Sequence, residues 1–254
     1  MASIAAVLIV KNESAILASC LDKLQWCDEI IVVDAGSDDN TVDIAKQYTD
    51  KVFIEADWQG YGIQRQRAQA KATSDWVVMI DADEQVTDSL QQSIQQVIAE
   101  DDRGCVYQVA RLSYVFGRYI RHSGWYPDYV IRLYPNTQAG YGNDVVHEKV
   151  VFPDSMQVKS LRGDLLHFTY RDLQHYLVKS AAYAAAWAEQ RYQRGKRANL
   201  LQAMLHGIGC FFKMYLLRAG FLDGPQGFLL ALLSGHSTFV KYADLWIKQR
   251  TKSS

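Results

Sequence analysis

Two carboxylates two positions apart, Asp81 and Asp83, stand in Asp81-Ala82-Asp83-Glu84, directly after the apolar run Trp76-Val77-Val78-Met79-Ile80. Such a run reads as a buried strand, and ligands of open α/β sheets bind beyond the carboxyl ends of strands. Carboxylates crowded there repel each other unless a cation joins them. A hard divalent ion that bridges to substrate phosphates is the natural partner. Taken alone, the pattern also describes a solvated acidic loop capping the next helix. Two more polar loops follow apolar runs in the same way. Asp34-Ala35-Gly36-Ser37-Asp38-Asp39-Asn40-Thr41 follows Glu29–Val33, and Lys11-Asn12-Glu13 follows Ala5–Val10. Gly36 permits a tight turn, and Asp or Asn can cap the helix after it. Three polar loops converging on one sheet edge, where an ordinary core needs none, make a candidate phosphate and metal site.

The elements that must position these loops are legible as an alternation. Buried strands are expected at Ala5–Val10, Glu29–Asp34, Lys51–Glu55 and Trp76–Ile80. Helices are expected at Ser14–Leu24, Thr41–Tyr48, Ile63–Ala72 and Asp88–Glu100. This order argues for a parallel sheet in an α/β domain. After Gly104 the pattern changes. Val106–Ser113 alternates weakly, like one more strand, and residues 114–165 hold short β-like pieces, aromatics and turns. From Asp172 the chain reads as helix, with Tyr176, Leu177, Ser180, Ala181, Ala184 and Trp187 as the stripe. A long apolar helix is expected over 198–219, interrupted by His206, Lys213 and Arg218. A turn at Asp223-Gly224-Pro225 precedes a last helix over Gln226–Gln249.

The chain of 254 residues carries 27 basic and 28 acidic groups, and this near-neutrality is misleading. Residues 1–104 hold 19 acidic and 8 basic side chains, whereas residues 105–254 hold 9 and 19. The acidic half suits cations, and the basic half suits phosphates or anionic lipid. Nothing points to nucleic acid. Cys20, Cys27, Cys105 and Cys210 form neither CxxC nor zinc spacing, so a reduced cytoplasmic setting is expected. Ile4–Val10 lacks the cleavage site of a signal peptide, and no stretch of some 18 apolar residues is free of charge.

Taken in order, these motifs resemble a family 2 glycosyltransferase of the GT-A fold. The matching residues are Val10–Glu13, Val32–Thr41 and Trp76–Glu84. The likeness extends to lipopolysaccharide-core glycosyltransferases of the β-1,4-glucosyltransferase type. It runs through Trp125-Tyr126-Pro127-Asp128, Arg132-Leu133-Tyr134, Val146-His147-Glu148, Leu166-His167-Phe168, Gly220–Gly224 and Gly227-Phe228. Two departures stand out. Relatives commonly carry Asp-Asp-Gly-Ser where this chain has Asp34-Ala35-Gly36-Ser37, and Arg-Asn where it has Arg65-Gln66.

The resemblance implies a Rossmann-like mixed α/β sheet flanked by helices. It implies a GT-A domain over 1–170, divided into a nucleotide-sugar half (1–104) and an acceptor half (105–170), with a helical extension over 171–254. It implies inverting transfer of a hexose, expected to be glucose, from a nucleotide-diphosphate sugar, with a UDP-sugar favoured. The acceptor would be a hydroxyl of a lipopolysaccharide-core-type glycolipid or an oligosaccharide. Asn12, Glu13, Asp34, Arg65, Asp81 and Ala82 would hold the nucleotide sugar. Asp83 and His167 would hold Mg²⁺ or Mn²⁺. Glu148 would be the general base that such a transfer requires, with Asp144 and Asp128 as rivals. Arg118, Trp125, Asp128 and Arg132 would meet the acceptor, since a planar guanidinium pairs well with phosphate. His147-Glu148 is not a zinc motif, because the second His of HExxH is missing. Arg191, Arg194, Lys196 and Arg197 before the apolar 198–219 segment suit the inner face of the cytoplasmic membrane. A sugar-phosphate nucleotidyltransferase is the alternative enzyme, but the loop after the first strand lacks its glycines. A non-catalytic nucleotide-sugar or membrane-binding protein is the alternative outside catalysis.

Overall fold

A computed structural model describes residues 2–142, 149–170 and 172–251. Along the chain run β1 (Ile4–Val10), α1 (Leu17–Asp22), β2 (Glu29–Asp34), α2 (Thr41–Ala45), β3 (Val52–Ile54), α3 (Tyr61–Gln69), β4 (Trp76–Met79), β5 (Glu84–Val86) and α4 (Asp88–Glu100). Then come β6 (Cys105–Val115), β7 (Arg118–Tyr119), β8 (Asp128–Pro135), β9 (Gly140–Tyr141), β10 (Val150–Val151) and β11 (Gln157–His167). The helices α5 (Leu173–Gln193), α6 (Leu200–Phe212) and α7 (Gly224–Thr251) follow. The chain forms two compact units, one of Met1–Arg111 with Asp128–His167 and one of Leu112–Pro127 with Phe168–Ser254. The segment 112–127, placed by the sequence in the acceptor half, thus clusters with the C-terminal helices.

In the first unit the strand order is β3-β2-β1-β4-β8-β6-β11-β5. The first four strands are parallel, and β8 then turns the sheet antiparallel against β4. The βα alternation therefore accounts for half of a mixed sheet. Period-two alternation divides each central strand between two cores. Ala6, Leu8, Val32, Val78 and Ile80 enter one core, where α1, α2 and α4 contribute Leu17, Leu21, Ala45, Leu90 and Ile94. Ala5, Val7, Ile31, Val33, Val77 and Met79 enter the other, where α3 contributes Ala68. Helices on both faces explain why these strands are apolar on both sides. The expected strands and helices of the first hundred residues appear, with α1, α2 and α3 shorter than expected. β11, eleven residues long, was not legible as one strand because its outer half is exposed and polar.

Two local devices fix α4 against β11. Thr87 caps α4 by accepting from the Leu90 N–H (3.3 Å), and its hydroxyl donates to the Asp164 carbonyl (2.8 Å). Gly163 sits beside them at φ +91°, where a Cβ would lie 2.4 Å from the Leu90 nitrogen.

In the second unit, β7 pairs with the end of β6, and three helices pack together. Asp172 caps α5, and Asn199 with Gln202 forms a reciprocal capping box on α6. Of the expected α5 stripe, Tyr176 and Ala184 are buried, but Leu177 and Ala181 are exposed. The helix period held, while its inner face is Tyr176-Ala184-Ala188. α6 continues as a π-type turn over Lys213–Leu217. Leu200–Leu217 is long and apolar enough to cross a membrane by length and composition, with mean hydropathy 1.4, although only 17% of it is buried. Gly207 and Gly235 let α6 and α7 cross closely, since a Cβ on Gly207 would meet the Gly235 carbonyl at 3.0 Å.

Candidate active site

The parallel registers align the carboxyl ends of β1, β2 and β4. Val10 is level with Asp34, and Ile80 donates its N–H to the Val7 carbonyl. Asp34 is buried and spends its carboxylate on its own loop. It accepts from the N–H groups of Gly36 (2.9 Å) and Ser37 (2.8 Å) and from the Ser37 hydroxyl. Gly36, at φ +83°, supplies the left-handed turn that makes this possible. The β1 loop is stitched to the β2 loop. Asn12 takes an N–H from Asp38 (3.0 Å) on its side-chain oxygen and donates its own N–H to Ser37 Oγ (2.8 Å), while Glu13 donates its N–H to Thr41 Oγ1 (2.8 Å). Beside them, a cavity of about 380 Å³ is lined by Ile9, Val10, Lys11, Glu13, Trp58 and Tyr61. The two aromatic rings meet edge to face at 4.8 Å.

The Asp81–Glu84 turn carries a buried charge network. Arg65 Nη2 donates to Asp81 Oδ1 at 2.7 Å, and Arg132 Nη2 donates to Asp81 Oδ2 at 2.5 Å and to Glu84 Oε1 at 2.6 Å. The Asp81 N–H closes the turn on Glu84 Oε2 at 3.0 Å. Burial alone would raise the Asp81 pKa, but the Arg132 and Arg65 guanidiniums overcome it and hold the carboxyl well below its usual range. Glu84, with no exposed surface, goes the other way: burial raises it, Arg132 opposes, and the Asp81 charge adds to the rise. Arg65 also lies 4.9 Å from the Tyr141 ring centre. A cleft of about 680 Å³ opens over Arg65, Asp81, Arg111, Arg132, Tyr141 and Lys149.

Asp83 has a different neighbour. Antiparallel pairing of β11 with β5 sets His167 level with Glu84, so His167 Nε2 stands 3.4 Å from Asp83 Oδ2. Both side chains retain some exposure. Strand register alone joins residues this far apart in the chain.

Residues 5–155 match the sequence profile of glycosyl transferase family 2. The chain belongs to this family. It is 28% identical to the lipopolysaccharide core biosynthesis glycosyltransferase LpsC of Rhizobium meliloti (strain 1021), over 98% of this chain and 94% of that protein. It is 29% identical to an uncharacterized glycosyltransferase of Rickettsia felis, over 96% and 90%. Among solved structures it is similar to mannosyl-3-phosphoglycerate synthase from Rubrobacter xylanophilus, at 18% identity and TM-score 0.48, covering 76% of this chain and 75% of that one. As a member of this family the chain is a glycosyltransferase, and its mixed sheet flanked by helices, with a helical C-terminal part, agrees with the architecture expected from the sequence.

The family implies a divalent ion. Among the described residues, no group of three His, Cys, Asp or Glu side chains is placed to hold one. Both oxygens of Asp81 are already taken by arginines. Asp83 and His167 offer one carboxylate and one imidazole, a donor set that fits an ion completing its shell with substrate phosphates and water.

Of the residues expected in this glycosyltransferase's site, Asp81 and Asp83 stand in the turn between β4 and β5, Arg65 on α3, Arg132 within β8 and His167 at the end of β11, all within the first unit. Glu13 lines the smaller cavity. Ala82 turns its methyl into the core, so only its backbone can meet a ligand. Asp128 is held by Arg111, whose Nε and Nη2 donate to it at 2.9 and 2.5 Å. Arg118 and Trp125 belong to the second unit, where Arg118 donates to the Leu222 carbonyl and Trp125 packs near Tyr170. Glu148 and Asp144 lie outside the described residues. Sequence reasoning missed Glu84 as a charge partner, and it missed Trp58, Tyr61, Tyr141 and Lys149. Trp58 and Tyr61 carried one signal, two aromatics in the polar stretch that leads from β3 into α3.

Proposed function

We propose that this glycosyltransferase moves a hexose, glucose by preference, from UDP-sugar to a hydroxyl of a lipopolysaccharide-core-type glycolipid, with inversion. The observation that carries the reading is the Asp83–His167 pair beside an Asp81 whose charge is already balanced. Asp83 and His167 would hold Mg²⁺ or Mn²⁺, which would neutralise charge gathering on the leaving diphosphate. Trp58 and Tyr61 flank the base, and Lys11 and Glu13 line the same cavity. Asn12 and Asp34 act one step back, by fixing the loops that shape this cavity. Asp81 keeps spare lone pairs on oxygens locked by Arg65 and Arg132, which suits it to accept from a ribose hydroxyl.

The cleft edged by Arg111 and Lys149 suits a phosphorylated acceptor. Glu148 is the base that takes the acceptor proton. The Arg111 grip on Asp128 supports that choice, since it engages the rival carboxylate. Likeness to LpsC supports the acceptor class.

A thermal-shift panel of nucleoside diphosphates with and without Mn²⁺ tests the reading. UDP should stabilise only with the ion, by about 2.7 kcal/mol at a hundredfold excess over Kd. Stabilisation by no nucleotide would sink it. Proton NMR of the first-formed product reads the anomeric configuration, and retention would refute inversion. Glu148→Gln should abolish transfer while leaving UDP binding intact.

A further inference from the structure

We propose that the outer face of α6 and its π-type continuation lies in the surface of an anionic phospholipid bilayer, with the groove between α6 and α7 receiving acyl-chain carbon. The proposal rests on the reading of a membrane-linked acceptor for its purpose, and on the surface of these helices for its support. Leu201, Met204, Leu205, Ile208, Phe212 and Leu216 are all exposed. Their spacings of three and four place them on one side of the helix. Ala203, Gly207 and Met214 occupy the other side and are buried. Gln202, His206 and Lys213 border the apolar stripe as a polar edge, so the exposed surface is itself amphipathic. The stripe runs into a cavity of about 460 Å³ lined almost wholly by apolar side chains, among them Ile208, Phe211, Phe228, Leu232 and Phe239.

Charge decides the occupant. From residue 190 to 222 the chain carries Arg191, Arg194, Lys196, Arg197, Lys213 and Arg218 and no carboxylate. A second copy of the chain would bring the same cations to the face, whereas an anionic lipid surface complements them. The helix is also tied down at both ends within its unit. Ala198 packs with Leu245 and Ala188, and the Arg218 carbonyl accepts from the Ser123 N–H at 2.8 Å. Near it, Asp223 accepts from the N–H groups of Arg121 and His122. Such anchoring suits a helix lying along an interface rather than one passing through it.

The test is flotation of the full chain with vesicles of phosphatidylcholine alone and with roughly a third phosphatidylglycerol. The chain should float with the anionic vesicles, stay behind with the neutral ones, and be released by about 0.5 M salt, where screening shortens to a few ångströms. Leu205→Asp with Phe212→Asp should cut partitioning at least ~tenfold. Arg194→Ser, Lys196→Ser and Arg197→Ser together should cut it roughly a hundredfold. All these side chains are exposed, so Tm should hold at the wild-type value. Equal flotation with neutral vesicles, no flotation, or a dimer by light scattering that Leu205→Asp/Phe212→Asp dissociates would each overturn the proposal. The thermal shift with UDP and Mn²⁺ in lipid-free buffer separates the two readings. Flotation without a shift would refute the donor assignment and leave the docking face standing, and a shift without flotation would refute only the docking face.

Discussion

Replacing Arg132 by Met strips one cation from the most enclosed charge cluster in the first unit. Arg132 stands 2.5 Å from Asp81 and 2.6 Å from Glu84, and its own side chain is almost fully buried. Glu84 has no exposed surface and would keep the Asp81 N–H on one oxygen and, among the ion pairs described, only the long contact to Arg111 at 3.7 Å. Removing one partner of a buried pair leaves an uncompensated charge and costs about 3–5 kcal/mol. At ~2–4 °C per kcal/mol for a chain of this size, Tm should fall by about 6–20 °C.

The sign with pH follows from the two carboxyls. Glu84 is raised above its unfolded value, so its contribution is fully present below that value and is lost as pH rises through the folded one. Asp81 is lowered, so its contribution is present above the unfolded value and is lost as pH falls. Without Arg132, Asp81 loses part of what depresses it, and Glu84 holds its proton to higher pH. The defect should therefore be smaller near pH 5 than near pH 8. Adding Glu84→Gln should recover part of the loss, with a coupling of about 1–3 kcal/mol. Denaturant unfolding of the four proteins at both pH values reads all of this. If Arg132→Met is within ~1 kcal/mol of wild type at pH 8, the network is not what holds the β4–β8 edge.

The other expectations concern the donor side. Asp83→Asn should abolish ion-dependent turnover with Tm unchanged, because Asp83 is partly exposed and its carboxylate faces only His167 among the ion pairs described. Calorimetric titration with Mn²⁺ and UDP would show the loss of binding. Trp58→Ala should raise the donor KM about tenfold or more, as loss of one stacking partner costs ~1–3 kcal/mol per base. An unchanged KM would move the base elsewhere. Asp34→Ala orphans the N–H groups of Gly36 and Ser37 and should destabilise by about 1–3 kcal/mol, with a higher donor KM, read by unfolding and steady-state kinetics.

The parallel half of the sheet was legible because β1, β2 and β4 are apolar on both faces, a pattern only double coverage by helices explains. The loops at their carboxyl ends were legible for the same reason, since polar turns after such runs have few other uses. What the sequence hid depends on register and long-range charge. Nothing local links His167 to Asp83; the antiparallel step of β11 along β5 makes them neighbours. Arg132 reads as an acceptor contact beside Arg118, and only burial shows that its guanidinium is committed to Asp81 and Glu84. Leu177 and Ala181 fit a helical stripe as well as Tyr176 and Ala184 do, because periodicity gives spacing and the packing partner chooses the face.

Asp81 and Asp83 show why two like residues two positions apart do different work. A strand end exposes alternate side chains to different surroundings, so Ala82 goes to the core while its neighbours go outward. Asp81 meets two guanidiniums from α3 and β8, which neutralise it and fix both oxygens before any ligand arrives. Asp83 meets an imidazole, which can share a cation instead of replacing it. A second free carboxylate at Asp81 would bind the ion more tightly without the donor, and the ion would then be less dependent on the diphosphate for its shell. On the proposed reading, an ion held by Asp83 and His167 would depend on the diphosphate to complete its shell, because Asp81 is locked by arginines, and ion binding would then be coupled to the presence of substrate.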